Sequence, residues 1–338
     1  MTTRRDFIKT AAVVAGVGAT ALGSTEAVKA AAPNAGAQKM PHGLTLLAIA
    51  QANGPDTLGV KLPNGILDVA MAAKSLKIDT PVTLESLLVS GNSSALEHLI
   101  EKAKDRKEFI KDEGSIKFGR LFANPGKIVC VGLNYKEHVE EAGEKLPKEP
   151  ILFNKYNNTL AAANCTIKLP ARDVSYKFDY ETELLIVIGK TARNVSEADA
   201  LNYVAGYAIG HDFSARDLQL EKGGQWMVGK TLDDFAPIGP YFVSADQVDP
   251  NNLTIETFVN DETKPRQSSH TSKFIFNPQK VISYTSKMFS LEPGDIIFTG
   301  TPSGVIIGMP KEQQVWLKAG DKITSRIEKL GTLRFTLA

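Results

Sequence analysis

From Lys127 onward the chain alternates short apolar runs with Gly- and Pro-bearing breaks, the pattern of a mostly-β domain. The runs fall at 128–131, 183–188, 204–209, 241–243, 253–259, 296–299, 323–327 and 332–337. Leu184-Leu185-Ile186-Val187-Ile188 is apolar at every position, so that strand is expected to be buried on both faces. Helical spacing is scarce. Val281, Ile282, Tyr284, Thr285 and Met288 predict a helix over 279–289, and Ser196-Glu197-Ala198-Asp199 opens a shorter one by a capping-type pattern. Before Lys127 the signals are mixed. Apolar runs at 58–62 and 66–69 flank Pro63-Asn64-Gly65, a hairpin signal. Ser94-Ala95-Leu96-Glu97 matches a capping box and predicts a helix through Leu99, Ile100 and Ala103 toward Ile110.

These patterns divide the chain into a small α+β N-terminal domain over 42–122 and a mostly-β domain over 123–338, with no internal repeat. The fold class expected is α+β, mostly β. Residues 31–41 are small and polar, as in a disordered linker. Before them, Thr3-Arg4-Arg5-Asp6-Phe7-Ile8-Lys9 precedes an Ala/Gly/Val run from Thr10 to Gly23, and Val28-Lys29-Ala30 has the small-x-Ala shape of a cleavage site. Residues 1–30 resemble a twin-arginine signal peptide, which implies export to the periplasm or beyond. The apolar run is shorter than the roughly twenty residues a bilayer requires, so no stable membrane anchor is expected.

Charge narrows the class of ligand. The whole chain has 39 basic and 38 acidic residues. Subtracting Arg4, Arg5, Lys9 and Lys29, and Asp6 and Glu26, leaves 35 basic and 36 acidic residues after Ala30. A balance near −1 speaks against nucleic-acid binding. Cys130 and Cys165 do not make a disulfide framework in 338 residues, and Cys130 reads as a small buried apolar residue.

The chemistry concentrates at Asp179-Tyr180-Glu181-Thr182-Glu183, which runs straight into the apolar strand. Alternation places Asp179, Glu181 and Glu183 on one face at the mouth of a core strand. Unpaired buried carboxylates cost several kcal/mol or more, so such a cluster calls for cations, strong donors or a metal. A second apolar run, 203–210, ends in His211-Asp212 and delivers another carboxylate. Glu181, Glu183 and Asp212 form an all-oxygen set suited to Mg²⁺, Mn²⁺ or Ca²⁺. His211 points to the other side of its strand and reads as a packed histidine. A further pair stands in Lys136-Glu137-His138-Val139-Glu140-Glu141. His138 and Glu141 are three apart and share a helical face, so the carboxylate can orient the imidazole as a general base. The charged, Pro-bounded segment 143–150 that follows suits a surface lid.

Six segments in order carry a resemblance over 127–337. They are Val131-Gly132-Leu133-Asn134-Tyr135 with His138 and Glu141; Leu152-Phe153-Asn154-Lys155; Glu181-Thr182-Glu183-Leu184; Asp212-Phe213-Ser214-Ala215-Arg216-Asp217-Leu218-Gln219; Trp226-Met227-Val228-Gly229-Lys230; and Phe298-Thr299-Gly300-Thr301-Pro302-Ser303-Gly304. Together they resemble the fumarylacetoacetate hydrolase superfamily. The resemblance implies a mixed β-roll or β-sandwich C-terminal domain and a divalent metal, Mg²⁺ or else Mn²⁺ or Ca²⁺, on Glu181, Glu183 and Asp212. It implies catalytic roles for His138, Glu141 and Lys230, and substrate contacts at Tyr135, Arg216, Gln219 and Thr301. It also implies a small 2-oxo acid or dicarboxylate substrate and a homodimer. The leading reaction is C–C hydrolysis of a 2,4-dioxo acid, with decarboxylation of oxaloacetate, isomerisation of a hydroxymuconate-type dienoate and ureidoglycolate cleavage as alternatives on the same site. A non-catalytic binder of metal and dicarboxylate is the rival of another class, and it gives no reason for the His138–Glu141 pair.

Overall fold

A computed structural model describes residues 39–338. The export address expected at 1–30 and most of the 31–41 linker lie outside the described residues. The main strands are β1 (Thr45–Ile49), β2 (Thr57–Leu62), β3 (Gly65–Asp68), β4 (Ile110–Lys111), β5 (Ile128–Gly132), β6 (Ile151–Asn154), β7 (Cys165–Ile167), β8 (Thr182–Ile188), β9 (Val204–His211), β10 (Phe242–Ser244), β11 (Thr254–Val259), β12 (Gln267–His270), β13 (Ile296–Phe298), β14 (Lys322–Ile327) and β15 (Gly331–Leu337). They build a mixed ten-stranded sheet in the order β4-β3-β2-β1-β10-β9-β8-β13-β5-β6 and a five-stranded sheet in the order β12-β11-β14-β15-β7. Two sheets with few helices are the mostly-β architecture the apolar runs predict.

Strand β8 lies in the middle of the larger sheet, flanked by β9 and β13, and every residue in it is buried. Its even positions Leu184, Ile186 and Ile188 share a cluster with Ile255, Ile327 and Leu333 of the second sheet. Its odd positions Leu185 and Val187 join a cluster with Leu87, Leu96 and Leu99 from the N-terminal helices. Burial on both faces is why this run has no polar alternation. The hairpin around Pro63-Asn64 forms as expected, with Leu62 opposite Gly65. From it the chain joins the large sheet, because β1 pairs antiparallel with β10. Residues 42–122 and 123–338 therefore contribute strands to one sheet.

Three helical expectations change. The helix near residue 94 spans Ser93–Ala103 with Asn92 as its N-cap and no capping side chain. Ser93 instead donates its hydroxyl to the Lys39 carbonyl at 2.7 Å. That helix stops at Ala103, and only a single 3₁₀ turn, Lys107–Phe109, follows before β4. The capping box belongs to a different helix, Leu84–Ser90, where the Thr83 and Ser86 side chains each bond the other's backbone amide. The Ser196 pattern yields a local turn and then a 3₁₀ segment, Ala200–Tyr203, rather than an α-helix. The late helix is present as Pro278–Met288, capped by Asn277.

Candidate active site

The register of β8 against β9 assembles the acidic cluster. Thr182 pairs with His211, so Glu181 and Glu183 on one strand meet Asp212 just beyond the other. Carboxylate oxygens of Glu181, Glu183 and Asp212 lie within 4.8 Å of one another, and all three residues are at most 5 % exposed. Three buried cations surround them. Lys230 Nζ donates to Glu181 Oε2 and Asp212 Oδ2, each at 2.8 Å. Arg216 donates to Glu181 Oε1 at 2.6 Å, to Asp179 Oδ2 at 2.8 Å and to Gln219 Oε1 at 2.9 Å. Lys155 Nζ donates to Asp212 Oδ1 at 2.7 Å. Asp179 is thus not part of the trio. It takes Arg216 and the amides of Ile306 and Ile307, and so fastens the loop after β13 to the cluster.

Glu183 is the carboxylate that receives no cation. Its Oε2 accepts the Gly300 amide at 2.6 Å. Gly300 has φ +95, and a Cβ there would approach Asn134 Cβ at 2.8 Å, so glycine suits both the turn and the close approach. Burial, with Asp212 and Glu181 close by, pushes the Glu183 carboxyl well above the usual carboxylate range. Burial also opposes charge on Glu181, but Lys230, Arg216 and His138 outweigh it and hold that carboxyl below its ordinary value. Glu183 is therefore the carboxylate whose charge the surroundings compensate least. An all-carboxylate set with that unmet charge fits a hard divalent ion.

The dyad stands on a six-residue helix, Lys136–Glu141, that follows β5. His138 Nδ1 lies 2.8 Å from Glu141 Oε1, while Glu141 Oε2 accepts the Gly304 amide at 2.9 Å. The turn into this helix places Leu133 at φ +54. Asn134 secures it: its amide donates to the Phe276 and Thr299 carbonyls, and its oxygen accepts the Phe276 amide. Past Arg216 the chain forms one π-helical stretch, Asp217–Glu221, which turns Gln219 toward the same space.

A cavity of about 170 Å³ joins these parts. His138, Glu141, Glu181, Glu183, Arg216, Gln219, Lys230 and Thr301 all line it, with Phe153 and Trp226 as apolar wall. Asp212 is fully buried behind that lining. Tyr135, expected to touch substrate, is not among the lining residues. It is fully buried with its ring 4.8 Å from Phe274, and its hydroxyl has no partner among the described residues. Thr301 lines the cavity, but its hydroxyl is held from behind by Gln267 Nε2 at 2.8 Å and the Thr182 carbonyl at 2.9 Å. His211 packs away from the cavity as expected, and burial pushes its imidazole down to about 3. Sequence reasoning assigned no role to Lys155, Gly300 or Gly304. A lysine at the end of an edge strand has no periodic signature, and only its odd place beside Leu152-Phe153 marks it.

Residues 127–338 match the family described as fumarylacetoacetate (FAA) hydrolase C-terminal. A fumarylacetoacetate hydrolase domain-containing protein 2 homolog from Dictyostelium discoideum is 47% identical over 289 residues, 82% of this chain and 90% of that protein. An oxaloacetate tautomerase, mitochondrial fahd2 of Xenopus laevis, is 38% identical over 280 residues, 82% of this chain and 84% of that one. Among solved structures, fumarylacetoacetate hydrolase from Exiguobacterium antarcticum superposes with a TM-score of 0.70 at 30% identity, covering 87% of this chain and 99% of that one. The family match over 127–338, relatives aligned over 82% of the chain and a solved structure of the same fold agree with the acidic cluster and its cations: this chain belongs to the fumarylacetoacetate hydrolase family of enzymes.

Proposed function

We propose that this enzyme uses a divalent metal to move a proton on a small 2-oxo acid, interconverting the enol and keto forms of an oxaloacetate-like dicarboxylate. The observation that carries the reading is the His138–Glu141 pair on the wall of the cavity that also holds the acidic cluster. Held by Glu181, Glu183 and Asp212, Mg²⁺, Mn²⁺ or Ca²⁺ would supply Lewis acidity at the 2-oxo oxygen. His138 has Nδ1 engaged by Glu141, which leaves Nε2 to accept the enol hydroxyl proton and deliver it to C3. Glu141 stabilises the imidazolium that forms between those two transfers. Lys230 and Arg216 line the cavity as fixed positive charge, suited to a carboxylate and to negative charge developing on oxygen. Similarity to an oxaloacetate tautomerase at 38% identity favours this chemistry.

The second reading is hydrolysis of a 2,4-dioxo acid, favoured by similarity to a fumarylacetoacetate hydrolase. Here His138 Nε2 would take a proton from water, the water oxygen would attack C4, and the C3–C4 electron pair would pass to C3 and be protonated. One assay separates the two. The purified chain from about Ala31 is given enol oxaloacetate and, separately, acetylpyruvate, with Mg²⁺ or with EDTA. Faster EDTA-sensitive loss of enol absorbance without pyruvate or CO₂ is the expected result. Pyruvate from acetylpyruvate would replace tautomerisation with hydrolysis, and metal binding without turnover of either would leave a binder.

The proposal includes export of the mature chain by the twin-arginine route and action as a homodimer. Arg4-Arg5 ahead of the Ala/Gly/Val run supports the first, and the family resemblance supports the second. Retention of an Arg4→Lys/Arg5→Lys double variant in the cytoplasm, and sedimentation at twice the chain mass, are the expected outcomes.

A further inference from the structure

Behind the acidic cluster lies a chain of neutral groups whose hydrogen-bond direction is forced from both ends. At one end the Glu181 amide donates to His211 Nε2 at 3.1 Å, so the imidazole proton must sit on Nδ1. Nδ1 faces Ser325 Oγ at 3.2 Å. At the other end Gln267 Oε1 accepts the Thr182 amide at 3.2 Å while Nε2 donates to the Pro302 carbonyl at 2.8 Å, which fixes how the carboxamide is turned. Thr257 then donates to Gln267 Oε1 at 2.7 Å, so it must accept from Thr182, and Thr182 must accept from Ser325 at 2.6 Å. Both ends demand the same sense: His211, Ser325, Thr182, Thr257, Gln267. From Gln267 the amide continues to Thr301, whose own proton goes to the Thr182 carbonyl. Every hydroxyl gives once, and all these side chains are buried.

We propose that this one-way chain sets the position of Glu181 relative to Thr301, with His211 and Gln267 as its positioning residues. It ties the backbone of a metal-ligand candidate immediately before β8 to a cavity-lining residue after β13 by way of the second sheet. A second consequence concerns the substrate. The Thr301 hydroxyl has no proton left for the cavity, so toward a ligand it can only accept. The partner it suits is a donor such as a water, and not a carboxylate oxygen.

The inference rests on the metal reading only through Glu181, and two measurements keep the two apart. Long-range ¹H–¹⁵N spectra of histidine-labelled protein, with the signal assigned by His211→Gln, are expected to show His211 neutral and protonated at Nδ1. A proton on Nε2 overturns the chain. Calorimetric titration with Mn²⁺ alone is expected to show about tenfold weaker binding for His211→Phe and for the isosteric Gln267→Glu, which removes the donor to Thr301. His211→Gln, which keeps an acceptor and a donor, is expected to stay within about threefold of the parent. Parental affinity in Gln267→Glu, whether or not His211→Phe folds, overturns the positioning role. Should the parent bind no Mn²⁺, the metal reading fails by itself and the tautomer still decides the chain.

Discussion

Strand β8 carries opposite chemistry on its two faces. On one side Glu181, just before the strand, meets Lys230 and Arg216 while Glu183 faces the cavity, whereas Thr182 on the even face meets Thr257 and Ser325 of the second sheet. The charged side is incomplete: Glu183 has no cation, and burial beside Asp212 and Glu181 pushes its carboxyl well above the usual range. The neutral side is closed, since each donor there has an acceptor. Incompleteness is what allows a site to take up an ion and respond to pH, and closure is what holds geometry while it does so. If this division is right, substitutions on the two sides differ in kind as well as in size.

The largest effect belongs to the dyad on the cavity wall. His138→Ala is expected to lower kcat by about 10²–10⁴-fold, the range for losing a positioned general base. Mn²⁺ affinity should change far less, because His138 bonds Glu141 and acts on the acidic trio only through its charge near Glu181. An equal loss of metal binding would make the pair structural and erase the distinction between base and cluster.

Next comes the buried cation that sequence reasoning overlooked. Lys155 is fully buried against Asp212 and lies outside the cavity lining. Replacing it with Met leaves a buried carboxylate with one cation fewer, and breaking such a pair costs about 3–5 kcal/mol. Urea unfolding of Lys155→Met in EDTA should show that loss, and saturating Mn²⁺ should recover part of it by binding only the folded state. A Lys155→Met protein as stable as the parent would mean that the cations are not what holds the cluster together.

Protons give a gentler test of the same imbalance. Glu183 has a folded pKa raised above its ordinary 4.5, so its protonated form favours the folded state. That contribution is fully present below about 4.5 and is lost as pH rises through the folded value. Metal-free protein should therefore lose stability as pH climbs above the ordinary carboxylate range. Mn²⁺ must displace that proton, so binding should strengthen with pH and release up to one proton. Calorimetry at one pH in two buffers of different ionisation enthalpy measures the release directly. Glu183→Gln should abolish it. Release that persists in Glu183→Gln would assign the proton elsewhere.

The same contrast explains what was legible beforehand. Carboxylates at the mouth of an all-apolar strand cannot be accounted for by packing, so Glu181, Glu183 and Asp212 stand out from the sequence. Their mutual register could not be read, because Thr182 opposite His211 joins residues across a connection of more than ten residues that leaves no local trace. The neutral side was silent for a stronger reason. Thr182, Thr257, Ser325 and Gln267 are common strand and surface residues, and only folding reveals that their hydroxyls and amide converge. Tyr135 marks another limit: its motif implies a substrate contact, whereas in the structure its ring packs against Phe274 and it does not line the cavity. The helix at residue 93 was shifted for a local reason, since a Ser-x-x-Glu pattern inside a helix looks like one at its start. The helix at 84 escaped because its box uses Ser86 where Glu or Gln is the usual signal.

The smallest effect is the most discriminating. Thr182→Val keeps the shape of the side chain and the backbone amide that Gln267 accepts, and removes one hydroxyl from the middle of the neutral chain. Ser325 loses its acceptor and Thr257 its donor, for an expected loss of about 1–2 kcal/mol in urea unfolding. No charge is involved, so in metal-free protein the loss should be the same at pH 5.5 and 8, whereas in saturating Mn²⁺ it should grow, because a broken chain no longer holds Glu181 for the ion. Lys155→Met should move the other way on adding Mn²⁺, because metal compensates a missing cation and cannot compensate a missing hydroxyl. A Thr182→Val penalty that moves with pH in the metal-free protein would mean that the neutral face titrates with the charged one, and the division between an ion-responsive side and a geometry-holding side would have to be abandoned.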